Sequence, residues 1–544
     1  MKIESLKTSR INLLIVLFAS LLFIPFLGQV HLFDWDEINF AESAREMIVT
    51  GDYLNVRIDF NLFWEKPPLF IWMQVLSMKI FGINEFAARF PNAIVGIITL
   101  LVLFNIGKKH FDKKFGLLWV FAYVGSVLPQ FYFKSGIIDP WFNLFIFLGI
   151  YFFIRYLQED GKRTKFIIFS AVSIGLGTLT KGPVALLLFL LTGFVYLILH
   201  RFKMRITFKA VLIYVLIYAV VGGFWFILQI LNGNFTIIQD FIKYQIELFG
   251  SNVAGHQEPF YYHFIVLFFG VFPASIFALK SFRKEKNETS EKKFFKEWMM
   301  ILFWVVLLLF SIVKTKIVHY SSMAYFPLTF LAAYAVYKTE KGDYKRSKII
   351  SGIIIFLAFF YTVAIFVLQY IGLHHEKIIR SGIIKDAFAN ANLQAVTSFT
   401  GFEFLLGVFL LAGIIFALRY SKKHYLNAVF ILFAVGAVFV NLTQIIIVPQ
   451  VEKISQKAAI DFFIEHQNDD AYFTTYGMKS YAPYFYAKKM KPDDISREQM
   501  LTGRITKPVY LMCRIIKKDE FLKKYPDFVI VQNKNGYVFF KKLP

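Results

Sequence analysis

Cysteine is almost absent: Cys513 stands alone among 544 residues. A single thiol closes no intramolecular disulfide and builds no cysteine-based metal cluster. The redox compartment is therefore not written in the cysteines. Acidic residues are few as well, 37 against 60 lysines and arginines, for a formal net charge of +23. Such an excess raises nucleic acid as a partner. The placement of the charges argues against it, because they cluster in short loops between apolar runs, where the positive-inside rule puts them. No internal repeat is visible, and no low-complexity stretch beyond the charged segment 281–297.

What the chain has in abundance is apolar surface. Hydrophobic residues make up 57% and aromatic residues 19%, with a mean hydropathy of +0.55. A soluble protein of this length would be about half polar or charged. The apolar residues also come in runs of about twenty, the length that crosses a bilayer core. Such runs lie near 11–29, 86–106, 115–133, 139–157, 166–180, 182–200 and 210–231. Others lie near 263–280, 298–313, 320–337, 349–371, 402–418 and 426–447. They predict an all-α polytopic membrane protein with about thirteen transmembrane helices. The first run follows Lys2, Lys7 and Arg10 but has no small-residue cleavage site, so it is expected to stay as a helix. Lys181-Gly182-Pro183 splits the fifth and sixth runs, which suits a tight hairpin or re-entrant turn.

Every alternate connection is basic: 108–114, 162–165, 201–209, 283–296, 338–348 and 419–423. This places the N-terminus inside and the C-terminus outside. The expected transmembrane domain is 1–448, with long exterior loops at about 30–85 and 232–262. In the first loop, Asp36 to Thr50 reads as a helix with acids in its first turn and Gly51 as its stop. A second segment, after Pro68, sets Trp72, Leu76 and Ile80 on one face and suits the membrane interface. Residues 449–544 are polar enough for a small exterior α/β domain. There, 458–466 reads as helix, 471–476 and 509–515 as strands, and 528–532 with 537–541 as a hairpin about Asn535-Gly536.

Some charges are not explained by topology. Asp36, Glu37, Lys66, Asp139, Lys181, Lys314 and Lys316 all fall at the exterior ends of the runs. Charged groups there are costly and need another reason. Cations neutralise phosphate oxygens, and a carboxylate orients or deprotonates an acceptor hydroxyl. A lipid-linked phosphate substrate suits this set. Plainer readings exist for each residue. Asp36, Glu37 and Asp139 suit helix starts, and the lysines suit head-group contacts. His256 and His263 suit packing. Charge and periodicity alone leave a channel or transporter open.

The stretch "DWDEINFAESAREMIVTGDY", followed by "FWEKPPLFIWMQVLSMKIFGINEFAARFP", resembles the first exterior loop of the lipid A aminoarabinose transferase and protein O-mannosyltransferase superfamily. "GIIDPWFNLF", "LGTLTKGPVAL", "GHQEPFYYHF" and "SIVKTKIVHYSSMAYFPL" resemble later motifs of the aminoarabinose-transferase branch, in the same order. The resemblance covers essentially the whole chain. It implies the GT-C fold and a glycosyltransferase of the cytoplasmic membrane. Such an enzyme takes its sugar from a polyprenyl (undecaprenyl) phosphate and passes it to lipid A or another envelope acceptor on the outer face. The family's essential carboxylates fall on Asp36, with Glu37 beside it, and on Asp139. Its phosphate-contacting cations fall on Lys66 and Lys181, and its lysine–tyrosine motif on Lys314, Lys316 and Tyr320. Some relatives bind a divalent metal ion, which points to Glu65 and His256, although two ligands do not close a zinc site. One departure is Phe40, where relatives often carry an aromatic hydroxyl. A lipid-linked donor needs no nucleotide-binding domain, and none is visible. A protein Ser or Thr is the alternative acceptor. The rivals from other classes are a lipid-linked sugar flippase and an envelope scaffold. A flippase should show paired halves or mid-membrane polar groups, and neither is apparent.

Overall fold

The computed structural model describes residues 3–158, 163–203, 206–250, 258–283 and 290–544. Each of the thirteen apolar runs falls on a helix or on a pair of helices. Six described helices are long and apolar enough to cross a membrane, from Glu85–His110 to Tyr425–Ser455. Two bent pairs bring that number to eight. Thr8–Phe23, Val184–Leu199 and Phe404–Tyr420 are shorter apolar helices. At 1.5 Å per residue, a helix of 16 or 17 residues is about 25 Å long, less than the hydrocarbon core. Thirteen is thus a count of apolar helical runs rather than of full-length spans.

Local sequence explains the breaks. The run 115–133 divides into Lys113–Val124 and Val127–Phe131 at Gly125-Ser126, with a bend of 81°. The run 263–280 divides at Val271-Phe272-Pro273, with a bend of 108°. Proline cannot supply the amide that a continuous helix needs. At the first break the neighbouring helix Tyr425–Ile446 comes very close. A Cβ on its Gly436 would collide with the carbonyl oxygen of Gly125. The core between the helices is dominated by aromatic rings, with Trp119, Trp298, Phe147 and Phe326 buried together in one continuous cluster.

The loop between the first two apolar runs carries real structure. The helix Asp36–Thr50 ends at Gly51, which adopts the left-handed conformation (φ 71°) that stops a helix. A short hairpin follows, β1 (Arg57–Ile58) with β2 (Asn61–Leu62). The helix Leu69–Phe81 leaves Leu76 63% and Ile80 65% exposed, the apolar stripe that an interfacial helix would offer to lipid. Helix Phe235–Gly250 lies in the second long connection. A third long connection, passed over in the sequence, holds the short helices His375–Ser381 and Ala387–Asn392.

The C-terminal part builds one mixed sheet from β3 (Tyr472–Tyr476), β4 (Val509–Arg514), β5 (Val529–Lys534) and β6 (Tyr537–Lys542). The order is β3-β4-β6-β5, parallel between β3 and β4 and antiparallel elsewhere. Asn535 and Gly536 both have positive φ (49° and 81°), as a tight hairpin turn requires. Helix Lys457–Glu465 covers one face, where Phe462 stacks on Phe539 at 4.0 Å. Phe521 and Phe528 cover the other.

This sheet unit is docked on the first loop. Ile38, Ala41 and Ala44 share one apolar core with Phe463, Tyr481 and Phe485. The Leu32 amide donates to the Tyr486 hydroxyl (2.7 Å), and the Gln456 side chain receives the Asp34 amide (3.1 Å). Lys489 pairs with Asp59 of the hairpin and with Asp493. The segment that presents Asp36 is therefore held from both sides.

Candidate functional site

Three elements bring their ends together beside that loop. Asp139 opens the helix Asp139–Gln158 and is buried. Lys181 is the last residue of Arg163–Lys181, where Gly182 (φ 94°) turns the chain into Val184–Leu199. Lys181 Nζ donates to Asp139 Oδ1 at 2.6 Å. The tight turn Val318–Ala324 supplies the third piece. One turn beyond Asp139, Asn143 donates to Ser322 Oγ (2.8 Å) and fixes this segment. The Tyr320 ring then lies 5.4 Å from Lys181 Nζ, a cation–π arrangement.

His319 lies between the two carboxylates. Its Nε2 is 4.0 Å from Asp139 Oδ2 and 3.8 Å from Asp36 Oδ2. The Asp36 side chain is 43% exposed, so it faces accessible space while Asp139 does not. The helix cap falls on Trp35, which makes no capping side-chain bond. Burial lowers the pKa of His319, and Lys181 and Lys66 push the same way against Asp139 and Asp36.

Lys66 follows Glu65 after the hairpin. Its Nζ sits 5.5 Å from the centre of the Tyr244 ring, and the Tyr244 hydroxyl donates to Glu65 Oε2 at 3.0 Å. Burial is the main cause that lowers the Lys66 pKa, and Lys181 adds to it, while Glu65, Asp36 and Asp139 oppose. Two ammonium groups and two carboxylates thus feel one another in one small volume. Lys66, Asp139, Lys181 and Tyr320 line one cavity together with Asn143, Gln245 and the apolar Phe142, Val184, Leu188, Phe310 and Met323. Cations and apolar side chains share this lining, a combination that suits a lipid phosphate. A second cavity of about 420 Å³ has His319 in its wall and is lined mainly by Phe26, Leu27, Phe33, Ile445 and Val448.

Known proteins place this geometry. The family described as dolichyl-phosphate-mannose-protein mannosyltransferase matches residues 65–225, which hold Lys66, Asp139 and Lys181. An undecaprenyl phosphate-alpha-4-amino-4-deoxy-L-arabinose arabinosyl transferase from Wigglesworthia glossinidia brevipalpis is 26% identical over 368 residues, 64% of either chain. One from Serratia proteamaculans is 28% identical over 347 residues, 61% of this chain and 60% of its own. The crystal structure of ArnT from Cupriavidus metallidurans bound to undecaprenyl phosphate superposes with a TM-score of 0.74 at 17% identity, covering 98% of both chains.

The chain shares the fold of the aminoarabinose transferase, and part of it matches the protein mannosyltransferase family.

The shared GT-C fold extends, at a TM-score of 0.50 and 11% identity, to the Archaeoglobus fulgidus oligosaccharyltransferase. The chain spans less than two thirds of the first curated relatives it matches, 63%, 66% and 64% of their lengths. Six to eight described helices long and apolar enough to cross a membrane, set in this fold, mark a membrane protein.

The structure redistributes several sequence-derived roles. Asp36, Asp139, Lys66, Lys181 and Tyr320 come together. Glu37, grouped with the catalytic carboxylates by its position beside Asp36, does not join them. It is buried against Arg89, with Nη2–Oε2 at 2.8 Å, and it accepts the Phe33 amide (2.8 Å) and the Gly136 amide (2.5 Å). Burial alone would raise its pKa, but Arg89 and these donors hold it below the usual range. Its work is to tie the first loop to the turn before Asp139. Lys314 is exposed, and Lys316 is buried with its Nζ donating to the Val313 carbonyl (2.9 Å). Neither reaches Asp139, because the chain leaves the helix Ser290–Ile312 before it re-enters at His319. Phe40 packs edge-on against Phe70 (5.8 Å), an apolar contact.

His256, one of the two metal candidates, lies outside the described residues. Its partner Glu65 is engaged by Tyr244, and no group of three or more His, Cys, Asp or Glu side chains able to hold a metal occurs among the described residues. The residue that sequence reasoning missed is His319. It stands inside a quoted motif, next to Tyr320, but His256 and His263 drew the attention. His263 is buried with Nδ1 3.1 Å from Ser321 Oγ and supports the turn that carries His319.

Proposed function

We propose that this protein transfers a sugar from a polyprenyl monophosphate carrier to a lipid or glycolipid acceptor, lipid A or a molecule of similar build, at the outer face of the cytoplasmic membrane. The observation that carries this reading is the set Asp36–His319–Asp139–Lys181 beside Lys66, at a cavity lined by cations and apolar side chains. The carrier phosphate sits against Lys66 and Lys181, with its prenyl chain along the apolar lining. An acceptor oxygen attacks the anomeric carbon of the sugar, the bond from that carbon to the phosphate oxygen breaks, and the phosphate leaves with its lipid. Preorganised cations stabilise the charge that grows on the leaving oxygen. Where the acceptor is a hydroxyl, its proton passes to Asp36. Where it is a phosphate, no base is needed. His319 lies between the two carboxylates. Asp139 holds Lys181 in place.

Curated relatives named as undecaprenyl phosphate aminoarabinose transferases support this reading, as does the solved relative bound to undecaprenyl phosphate. The match to protein mannosyltransferases makes Ser or Thr of a protein the second acceptor reading. The same reading sets 1–448 as the membrane domain and 449–544 as an exterior domain, with the N-terminus inside. Mass spectrometry of envelope glycolipids and glycoproteins from a deletion strain and its parent tests it. Loss of one sugar from a glycolipid is the expected result. Loss from a protein instead moves the acceptor to Ser or Thr, and an unchanged envelope contradicts transfer.

A further inference from the structure

The C-terminal sheet unit reaches the neighbourhood of Asp36. Just past β3 the chain turns at Gly477, which is left-handed (φ 65°), and Thr475 Oγ1 donates to the Met478 carbonyl at 2.8 Å. The Tyr481 amide then donates to Asp34 Oδ1 at 3.3 Å, two residues before Asp36. These ties set Lys479 over Trp35. Its Nζ lies 4.8 Å from the centre of the Trp35 ring and 5.5 Å from that of Tyr481. The two rings meet edge to face at 6.1 Å, with Tyr481 buried behind Trp35. Burial is the main cause that raises the Tyr481 pKa, and the Glu65 carboxylate, next in sequence to Lys66, adds to it. The ring pair is thus close to both arms of the site, to Asp36 along the chain and to Glu65 through space.

These groups are accessible. Lys479 is exposed, Trp35 is 44% exposed, and the neighbouring Asp36 side chain is 43% exposed. Among the described residues no ion pair engages Lys479. An exposed ammonium over an exposed ring adds little to folding. A tryptophan that only anchors a protein at the membrane interface turns its ring to the head groups, whereas a lysine of the sheet unit lies over this one. An apolar ring beside a hydrogen-bond donor is what recognises a sugar ring. The C–H face of a pyranose packs on the aromatic surface, and the oxygens at its rim accept from the ammonium. The side chain of a serine or threonine offers no such face.

We propose that Trp35 and Lys479 form a subsite for a sugar ring of the acceptor, so that residues 449–544 help to position the acceptor at Asp36. The assignment rests on the transfer reading above for the identity of that ring as part of the acceptor. Both residues position the ring and take no part in bond breaking.

The test uses full-length protein purified in detergent, with no donor present. The probe is the acyl-free disaccharide head of a lipid A-type glycolipid with its phosphates removed, and ligand-observed NMR titration reads its binding. Trp35→Ala and Lys479→Met are each expected to weaken it about tenfold. Lys479→Arg should stay within about threefold of wild type, since it keeps the charge. In steady-state transfer, Trp35→Ala and Lys479→Met should raise the acceptor KM and leave the donor KM and Tm unchanged. No binding of the disaccharide by wild type, binding that neither variant weakens, or a lowered Tm with an unchanged acceptor KM overturns the assignment. Should Trp35→Ala not fold, Lys479→Met, on an exposed side chain, decides. Disaccharide binding that depends on both residues, without any sugar transfer, would sink the transfer reading and leave the subsite standing. Sugar transfer without disaccharide binding would do the reverse.

Discussion

Asp36 and Glu37 are adjacent carboxylates with different surroundings. Glu37 turns into the protein and meets Arg89, with side chains only 7% and 3% exposed. Asp36 turns toward His319 and keeps 43% of its side chain accessible. One step along a helix rotates a side chain by about 100°, enough to separate a structural acid from a reactive one. Glu37→Gln should therefore act on stability. It leaves the Arg89 guanidinium buried without its anion, at a cost of about 3–5 kcal/mol. Thermal unfolding in detergent measures this, and an unchanged Tm would return Glu37 to the catalytic group. At Lys66 the expectation concerns pH. Only the protonated amine attracts phosphate, and burial lowers its pKa below the ordinary lysine value, with Lys181 adding to the effect. Donor affinity should fall as pH rises through that lowered value, earlier than for an exposed lysine. Bound phosphate stabilises the charged form and shifts the fall upward again. Donor KM measured across the alkaline range checks this, with Lys66→Arg expected to flatten the profile because arginine stays charged. These residues were visible in the sequence as charges that topology did not require. Their pairing was not, because Asp139 and Lys181 meet across 42 positions and no local pattern records such a contact.

The helices were legible because their signal is local. Runs of apolar residues, Gly51 as a stop, and Asn535-Gly536 as a turn all act within a few residues of themselves. Bends were not, since Gly125-Ser126 becomes a corner only when Tyr425–Ile446 packs against it. The connection with Ala387–Asn392 was passed over for a similar reason. It has no strong periodicity, and it gains its place by laying Phe388 edge-on against Tyr537 at 5.3 Å. That contact yields a prediction for the hairpin. Gly536 has φ 81°, and an added Cβ would lie 2.9 Å from Phe388 Cδ2. Gly536→Ala should cost about 1–2 kcal/mol from the left-handed backbone alone, before the clash is counted. The readout is Tm, with limited proteolysis to show whether the sheet loosens from the rest. Unchanged stability would mean that the hairpin adopts another turn.

For the whole molecule, the distribution of lysine and arginine fixes an expected orientation with the charged cluster and the C-terminal sheet on the exterior side. A reporter fused after residue 544 should be active only outside the cytoplasm, and robust cytoplasmic activity would contradict the orientation. The docking of the sheet unit onto the first loop means that the Asp36 segment and residues 449–544 act as one body. The fold class, the helical runs and the strands of the C-terminal sheet could all be read from the chain before any coordinates. The convergence of Asp36, His319 and Asp139 needed three dimensions. That convergence is where the proposed chemistry lives, and Asp36→Asn addresses it directly. Asparagine is nearly isosteric, and the helix cap falls on Trp35, so the helix should survive the change. Asparagine carries no charge and is no base at neutral pH, so a role in orienting or deprotonating the acceptor would not survive. The deciding measurement is product formation from a polyprenyl-phosphate sugar and a glycolipid acceptor by purified wild type and Asp36→Asn, with Tm as the folding control. Wild-type transfer that falls at least about a hundredfold in a normally folded variant is the predicted result. Near-wild-type turnover by Asp36→Asn, or no transfer by the wild type from any polyprenyl-phosphate sugar, would contradict it.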